Sequence, residues 1–264
     1  MKQNELAAVF QPNRAVSPAV MKILVAVQAA IALGIWFLSP FPVLPRPPEV
    51  LSALGSLWSE GGLAEELGTS LKLNIEAVLL TLVIALALSY LTVMPFFRPI
   101  ATAVSKGRFL GLTGLTFVFT LLVGGGHPLK VALLVFGMTV FFVTSMASVV
   151  AEIPKEQFDY ARTLRMGEWR VVWEVVVLGT FDKALEVLRQ NAAIGWMMLT
   201  MVEGISRSEG GLGAMLLNQN KHFRLPEVFA IQIVILVVGI FQDTLLGWLG
   251  RILAPHAVLA RERQ

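Results

Sequence analysis

The chain has 264 residues, of which 56% are hydrophobic and only 15% charged, with a mean hydropathy of +0.72. Soluble domains carry about 25% charged residues, so a shortfall spread along the whole chain indicates an integral membrane protein. The net charge of +3 fits basic loops on the inner side of a membrane better than a nucleic-acid surface, and the lack of any cysteine removes disulfides, thiolate nucleophiles and cysteine metal sites.

In chain order, residues 1–22 are polar and mixed, and read as a cytoplasmic tail. The first apolar run, 23–38, starts too late and lacks the small-residue cleavage pattern of a signal peptide, so it is expected to be a retained span. The proline-rich stretch PFPVLPRPPEV that follows is stiff and extended, because proline fixes φ and disfavours helix before it. Further spans are expected at about 71–94, 109–123, 129–150, 184–202 and 228–249. The third is short for a hydrocarbon core of about 30 Å, which takes about 20 helical residues to cross. Residues 251–264 form a basic tail. The predicted fold class is therefore an all-α integral membrane protein of about six transmembrane helices, with the permeating domain at 23–250.

Lysine and arginine set the orientation. With the amino terminus inside, only Arg46, Lys72, Lys130, Arg207, Lys221 and Arg224 of the 21 fall outside. Both termini and the loop 154–182 are thus expected on the cytoplasmic side.

That loop, PKEQFDYARTLRMGEWRVVWEVVVLGTFD, is the longest charged amphipathic interval in the chain. Pro154 suits a helix start, and Phe158, Ala161 and Leu164 recur at helical spacing. Gly167 offers a break, after which Trp169, Val172, Trp173 and Val176 are expected to form one apolar face. Two short helices between spans make either a docking surface for a soluble partner or a plain connecting loop.

The chain carries no phosphate-binding loop, no G-x-S-x-G and no H-E-x-x-H pattern. His127, His222 and His256 are far apart in sequence and make no metal-ligand spacing. No catalytic residue, metal ligand or cofactor is therefore assigned. Asn74, Glu76, Gln190, Asn191 and Glu203 are the candidates for lining a substrate path, because buried polar groups in spans are expensive. For Glu76 and Glu203, as for Asp243, solvation at a span end is the alternative; for Gln190 and Asn191 it is hydrogen bonding between helices. Trp36, Trp58, Trp196 and Trp248 are expected in an interfacial belt.

The order of these parts resembles the permease subunits of bacterial binding-protein-dependent ABC importers, most of all the nitrate/sulfonate/taurine group. Leu44–Leu54 is similar to the proline-rich segment after the first span, Phe158–Leu178 to the cytoplasmic EAA loop, and Trp196–Gly213 to the end of the fifth span with its Gly-Leu-Gly loop. The resemblance implies a pair of permeases, identical or paralogous, in a bacterial inner membrane. It implies a cytoplasmic ATPase dimer that holds the ATP and magnesium, an extracytoplasmic substrate-binding protein, and a small anion such as nitrate, a sulfonate, taurine or bicarbonate as substrate. ATPase coupling is carried over to Phe158, Asp159, Tyr160, Ala161, Leu164, Arg165 and Gly167. The family's Glu-Ala-Ala corresponds to Asp159, Tyr160 and Ala161, its loop glycine to Arg165, with Gly167 displaced by two, and its closing proline to Leu178. An ATP-independent carrier or channel, and a membrane scaffold that transports nothing, remain the alternatives.

Overall fold

The computed structural model describes residues 9–255 apart from 12, 13, 15 and 42, so most of the amino-terminal tail and everything from 256 onward lie outside the described residues. Every regular element described is helical. The first five are α1 (Pro18–Phe37), α2 (Pro47–Ser59), α3 (Leu63–Leu91), α4 (Arg98–Lys106) and α5 (Leu112–Val123). Then come α6 (His127–Ala151), α7 (Lys155–Thr163), α8 (Glu168–Val171), α9 (Phe181–Ile205), α10 (Leu212–Lys221) and α11 (Leu225–Leu253). Proline sits in the first turn of α1, α2, α4, α6 and α11, where a missing N–H leaves no hydrogen bond unmade.

α6 is the axis of the bundle. α3, α4, α5 and α9 all pack on it, and Leu133, Leu134, Phe142, Val143 and Met146 are wholly shielded. Helices in lipid associate through close packing rather than escape from water, so small residues at the crossings matter. A Cβ placed on Gly195 of α9 would fall 3.0 Å from Met138 Cε of α6, and one on Gly137 would fall 2.8 Å from Met198 Sδ. These two glycines let α6 and α9 approach with methionine side chains filling what space remains.

By length and composition α1, α3, α6 and α11 can each cross a membrane, and α4 with α5 makes a fifth crossing if that pair, bent by 119°, counts as one. α5 alone has 12 residues, about 18 Å of helix at 1.5 Å per residue, which is short of the bilayer core. The expected fifth span coincides with α9, which is long enough at 25 residues. Asp182, Lys183, Glu186 and Arg189 in its first turns keep it out of the apolar set. α1 buries only Val20 and presents Ile23, Val25, Ile31 and Ile35 outward, as a helix facing lipid would.

Candidate coupling surface and transport path

α7 and α8 project from one end of the bundle, between α6 and α9. α7 keeps Ala161 buried at 4% exposure and Phe158 half-buried, beside Ala101, Val150 and Ile153. Tyr160 and Leu164 point outward, 67% and 54% exposed. The predicted Phe158/Ala161/Leu164 stripe therefore splits: two residues anchor the helix and the third is displayed. The end of α7 is closed by backbone. Met166 N donates to Ala161 O at 3.4 Å and Leu164 N to Tyr160 O at 3.3 Å, with Arg165 at φ +57°. This is the left-handed helix cap usually filled by glycine.

Arg162 pins the corner, its Nε donating to Glu168 Oε1 at 3.1 Å and its Nη1 to Asp159 Oδ1 at 3.3 Å. The hydrogen bond and charge of Arg162 hold the Glu168 carboxyl below its ordinary value, and Glu168 in turn raises Arg162. A lowered carboxylate value means that the contribution is present above the unfolded value and fades as pH falls through the folded one. Arg162→Ala is expected to speed proteolytic cleavage within 159–168 at neutral pH without moving the thermal midpoint. The difference from the unaltered chain should shrink on acidification; equal cleavage at neutral pH would remove the pinning role.

The opposite end carries a polar clamp. Four consecutive residues before and at the start of α10 are gripped through their backbone by three other helices. Lys130 Nζ of α6 donates to Gly210 O at 2.9 Å, and Gly211 N donates to Glu66 of α3. Leu212 N donates to Ser70 Oγ at 2.8 Å, and Gly213 N to Glu203 Oε2 of α9 at 2.7 Å. Ser70 Oγ itself donates to Glu203 Oε1 at 2.7 Å. Helix N-termini leave their first N–H groups unpaired, and carboxylates there also meet the favourable end of the helix dipole. Gly210 and Gly211 adopt φ +71° and +108° to turn the chain into this position. Nearby, His127 Nε2 lies 2.8 Å from Glu76 Oε2 and its Nδ1 lies 3.3 Å from Glu209 Oε2.

The third feature is a face of α9. Lys183, Gln190, Ala193, Met197 and Met201 are exposed along one line of the helix, with Glu186 half-buried on the same line. Beside it Arg189 Nε donates to Asp243 Oδ1 of α11 at 2.9 Å, and Arg189 Nη1 lies 3.5 Å from Glu186 Oε2. A pocket of about 490 Å³ opens there, lined by Lys183, Glu186, Arg189, Leu246, Gly247 and Arg251. Gln190 lies nine residues into α9, about 14 Å along the helix axis. The exposed faces of α3 (Ile75, Leu79, Val83), α5 (Phe117, Leu121) and α11 (Leu236, Ile240, Phe241) are apolar by contrast.

Residues 76–258 match the family model of the binding-protein-dependent transport system inner membrane component. The chain belongs to that family. It is a multi-pass permease subunit of an ABC importer, a class that works with an ATPase and a binding protein. Over 238 residues it is 24% identical to a putative ABC transporter permease protein of Methanocaldococcus jannaschii, covering 81% of this chain and 84% of that one. Its fold is similar to that of a chain in the inward-facing MetNI methionine ABC transporter, at a TM-score of 0.59 and 17% identity over 74% of this chain and 98% of the other.

Within the permease the five candidate path residues occupy different surroundings. Asn74, Asn191 and Glu203 are buried inside the protomer. Glu203 belongs to the clamp, and Asn191 Nδ2 donates to Val187 O in its own helix at 2.9 Å. Asn74 lies near Gly195, with no hydrogen-bond partner among the described residues for either amide atom. Glu76 is half-exposed beside His127, and Gln190 is on the open face of α9. Lys130, Ser70 and Glu66 were not singled out from sequence; a lysine followed by an apolar run looks like a span boundary, and nothing in its spacing shows that it reaches a glycine carbonyl 80 residues away.

Two expectations are corrected. Trp196 is 5% exposed and donates from Nε1 to Gln242 Oε1 of α11 at 2.5 Å, so it joins two helices rather than sitting in an interfacial belt. Along α8 and the π-helical turn Val172–Leu178 that follows it, the buried residues are Val171 and Val176, while Trp169 and Trp173 are 73% and 57% exposed. In that turn Gly179 N bonds back to Glu174 O, which breaks the regular 3.6-residue spacing beyond Val171.

Proposed function

We propose that this permease couples solute passage to a separate cytoplasmic ABC ATPase dimer through the surface built from Phe158, Asp159, Tyr160, Ala161, Leu164, Arg165 and Gly167. The observation that carries the proposal is that α7 displays Tyr160 and Leu164 while its two ends run into α6 and, through α8, into α9. A partner that closes on α7 thereby pulls on two long helices at once. Movement follows if the partner binds one arrangement of those helices better than the other, which is a rigid-body switch.

In this proposal the coupling end and both termini face the cytoplasm of a bacterial inner membrane, and the clamp at the start of α10 faces the substrate-binding protein. ATP and magnesium belong to the ATPase partner. Glu186, Gln190 and the pocket beside Arg189 supply the polar wall of the path, since polar groups exposed at membrane depth need water or protein against them. The substrate is a small anion such as nitrate, a sulfonate, taurine or bicarbonate, supported by the resemblance of Leu44–Leu54 and Trp196–Gly213. The solved relative is a methionine transporter, so the fold also serves other solutes.

Purification of the tagged chain from its native membrane in mild detergent, followed by mass spectrometry, tests the proposal. A stoichiometric ATPase with a phosphate-binding loop is the expected companion, and ligand screening of the accompanying receptor then tests the anion. A stable chain recovered alone would favour an ATP-independent carrier or a scaffold.

A further inference from the structure

We propose that the cavity between α4 and the base of α7 seats the phosphate of an anionic phospholipid, drawn from the membrane leaflet at the coupling end. The proposal rests on the orientation and function given above and adds a ligand that neither assigns. The cavity has a volume of about 730 Å³, within the range of small-ligand pockets. Val150 near the end of α6 forms one wall, and Phe158 and Arg162 of α7 form another. Arg98, Thr102 and Ser105 of α4 complete it. These three are spaced by four and three residues, so they make one polar face of the helix.

That face is suited to an anion. Arg98 Nε donates to Thr92 O at 3.1 Å, and neither of its Nη groups has a partner among the described residues. A guanidinium offers such free N–H groups in a plane that matches two phosphate oxygens. Ser105 Oγ is also without a partner among the described residues, and a hydroxyl can donate to phosphate. The other arginine of the cavity, Arg162, is engaged by Asp159 and Glu168, and Glu168 is the one carboxylate at the wall. Residues 92–126 hold Arg98, Lys106 and Arg108 and no aspartate or glutamate, so the segment itself supplies no competing anion. The surroundings favour a lipid over a soluble phosphate. Phe96 and Ile100, 75% and 41% exposed, flank Arg98. At a span end such side chains rest in hydrocarbon while the neighbouring arginine reaches the headgroups, and anionic headgroups draw cations to the cytoplasmic surface. A phosphate seated here touches α4 and lies against the base of α7, so it braces the coupling segment against the bundle.

Native mass spectrometry of the complex purified in mild detergent, with phosphatidylglycerol or phosphatidylcholine added back, tests the site. Phosphatidylglycerol is expected to stay bound and phosphatidylcholine to wash off. Arg98→Gln should weaken phosphatidylglycerol binding about tenfold, the effect of losing a charged hydrogen-bond donor. Thr102→Asp should do the same by setting a carboxylate in the cavity, and it spares the bond from Arg98 to Thr92, so it serves where Arg98→Gln disturbs the fold. Arg108→Gln, outside the cavity, should keep the affinity of the unaltered chain. Phosphatidylglycerol should also slow proteolytic cleavage within 159–168 in the unaltered chain and not in Thr102→Asp. Equal binding of the two lipids, or equal losses at Arg98 and Arg108, overturns the proposal, and unchanged cleavage overturns the bracing. Displacement of the lipid by millimolar inorganic phosphate overturns the lipid in favour of a soluble anion. The ATPase is counted in the same spectra, so failure of the lipid site leaves the permease function standing, whereas absence of the ATPase removes that function instead.

Discussion

Replacing Glu203 by alanine is expected to lower the stability of the permease by about 3–5 kcal/mol, the range for stranding the partners of a buried charged group. Glu203 is fully buried and accepts from Ser70 Oγ and Gly213 N. Its removal leaves the α10 amide without an acceptor and frees Ser70, which also holds Leu212 N. The loop 206–211 and the start of α10 should loosen together, because only Glu66, Lys130 and a Ser70 that has lost its own acceptor then hold them. Glu203→Gln retains the volume and one acceptor but turns an amide N–H₂ toward a donor, so an intermediate loss is expected. Glu76→Ala is the comparison: its carboxylate is half-exposed and bonded to His127, and a partly exposed pair contributes about 1 kcal/mol or less. Gly213→Ala should approach the effect of Glu203→Ala by another route, since its Cβ would collide with the Thr200 carbonyl. Thermal midpoints of the detergent-purified variants measure all four. Equal midpoints for Glu203→Ala and Glu76→Ala would show that the clamp carries no special weight.

Much of this molecule is visible in its sequence, and the parts that are not share a cause. Long apolar runs placed α3, α6 and α11, because hydropathy is summed over many residues and no single neighbour changes the outcome. The amphipathic interval 154–182 marked the projecting helices for the same reason. The cap of α7 shows the limit. Sequence similarity put the loop glycine at Arg165, and the backbone there is left-handed, at φ +57°. The conformation is kept although the residue is not, at a cost of roughly 1–2 kcal/mol for a side chain in that region. Gly167, the glycine that is present, has an ordinary φ of −66°. The clamp was illegible because its members, Glu66, Ser70, Lys130 and Glu203, come from three helices far apart in the chain. Each looks like a polar residue at a span end until the fold brings the backbone of 210–213 between them. The division between Asn191, turned inward, and Gln190, turned outward, depends on how α9 is rotated about its axis. Adjacent positions on a helix point about 100° apart, so composition alone cannot separate them.

Tyr160→Asp combined with Leu164→Asp is expected to abolish coupled transport while leaving the permease folded. Both side chains are exposed and touch little of their own chain, so charge at these positions should leave the thermal midpoint unchanged. Against an ATPase cleft the same change removes two apolar anchors and buries two carboxylates. Anchors of this kind contribute about 2 kcal/mol or more each, and a combined loss near 4 kcal/mol is roughly a thousandfold in affinity. The ATPase should therefore fall away during purification, and substrate-stimulated ATP hydrolysis in vesicles should drop to the unstimulated rate. Ala161 is the wrong place for this experiment. It is 4% exposed, so Ala161→Glu would force a charge into the packing beneath α7 and mix misfolding with lost docking. Asp159→Asn serves as the mild control, since Asp159 shares Arg162 with Glu168 and the corner keeps its stronger bond. Retention of a stoichiometric ATPase and normal uptake by the Tyr160→Asp, Leu164→Asp chain would falsify α7 as the coupling surface. The exposed Trp169 and Trp173 of the next segment would then be the positions to change.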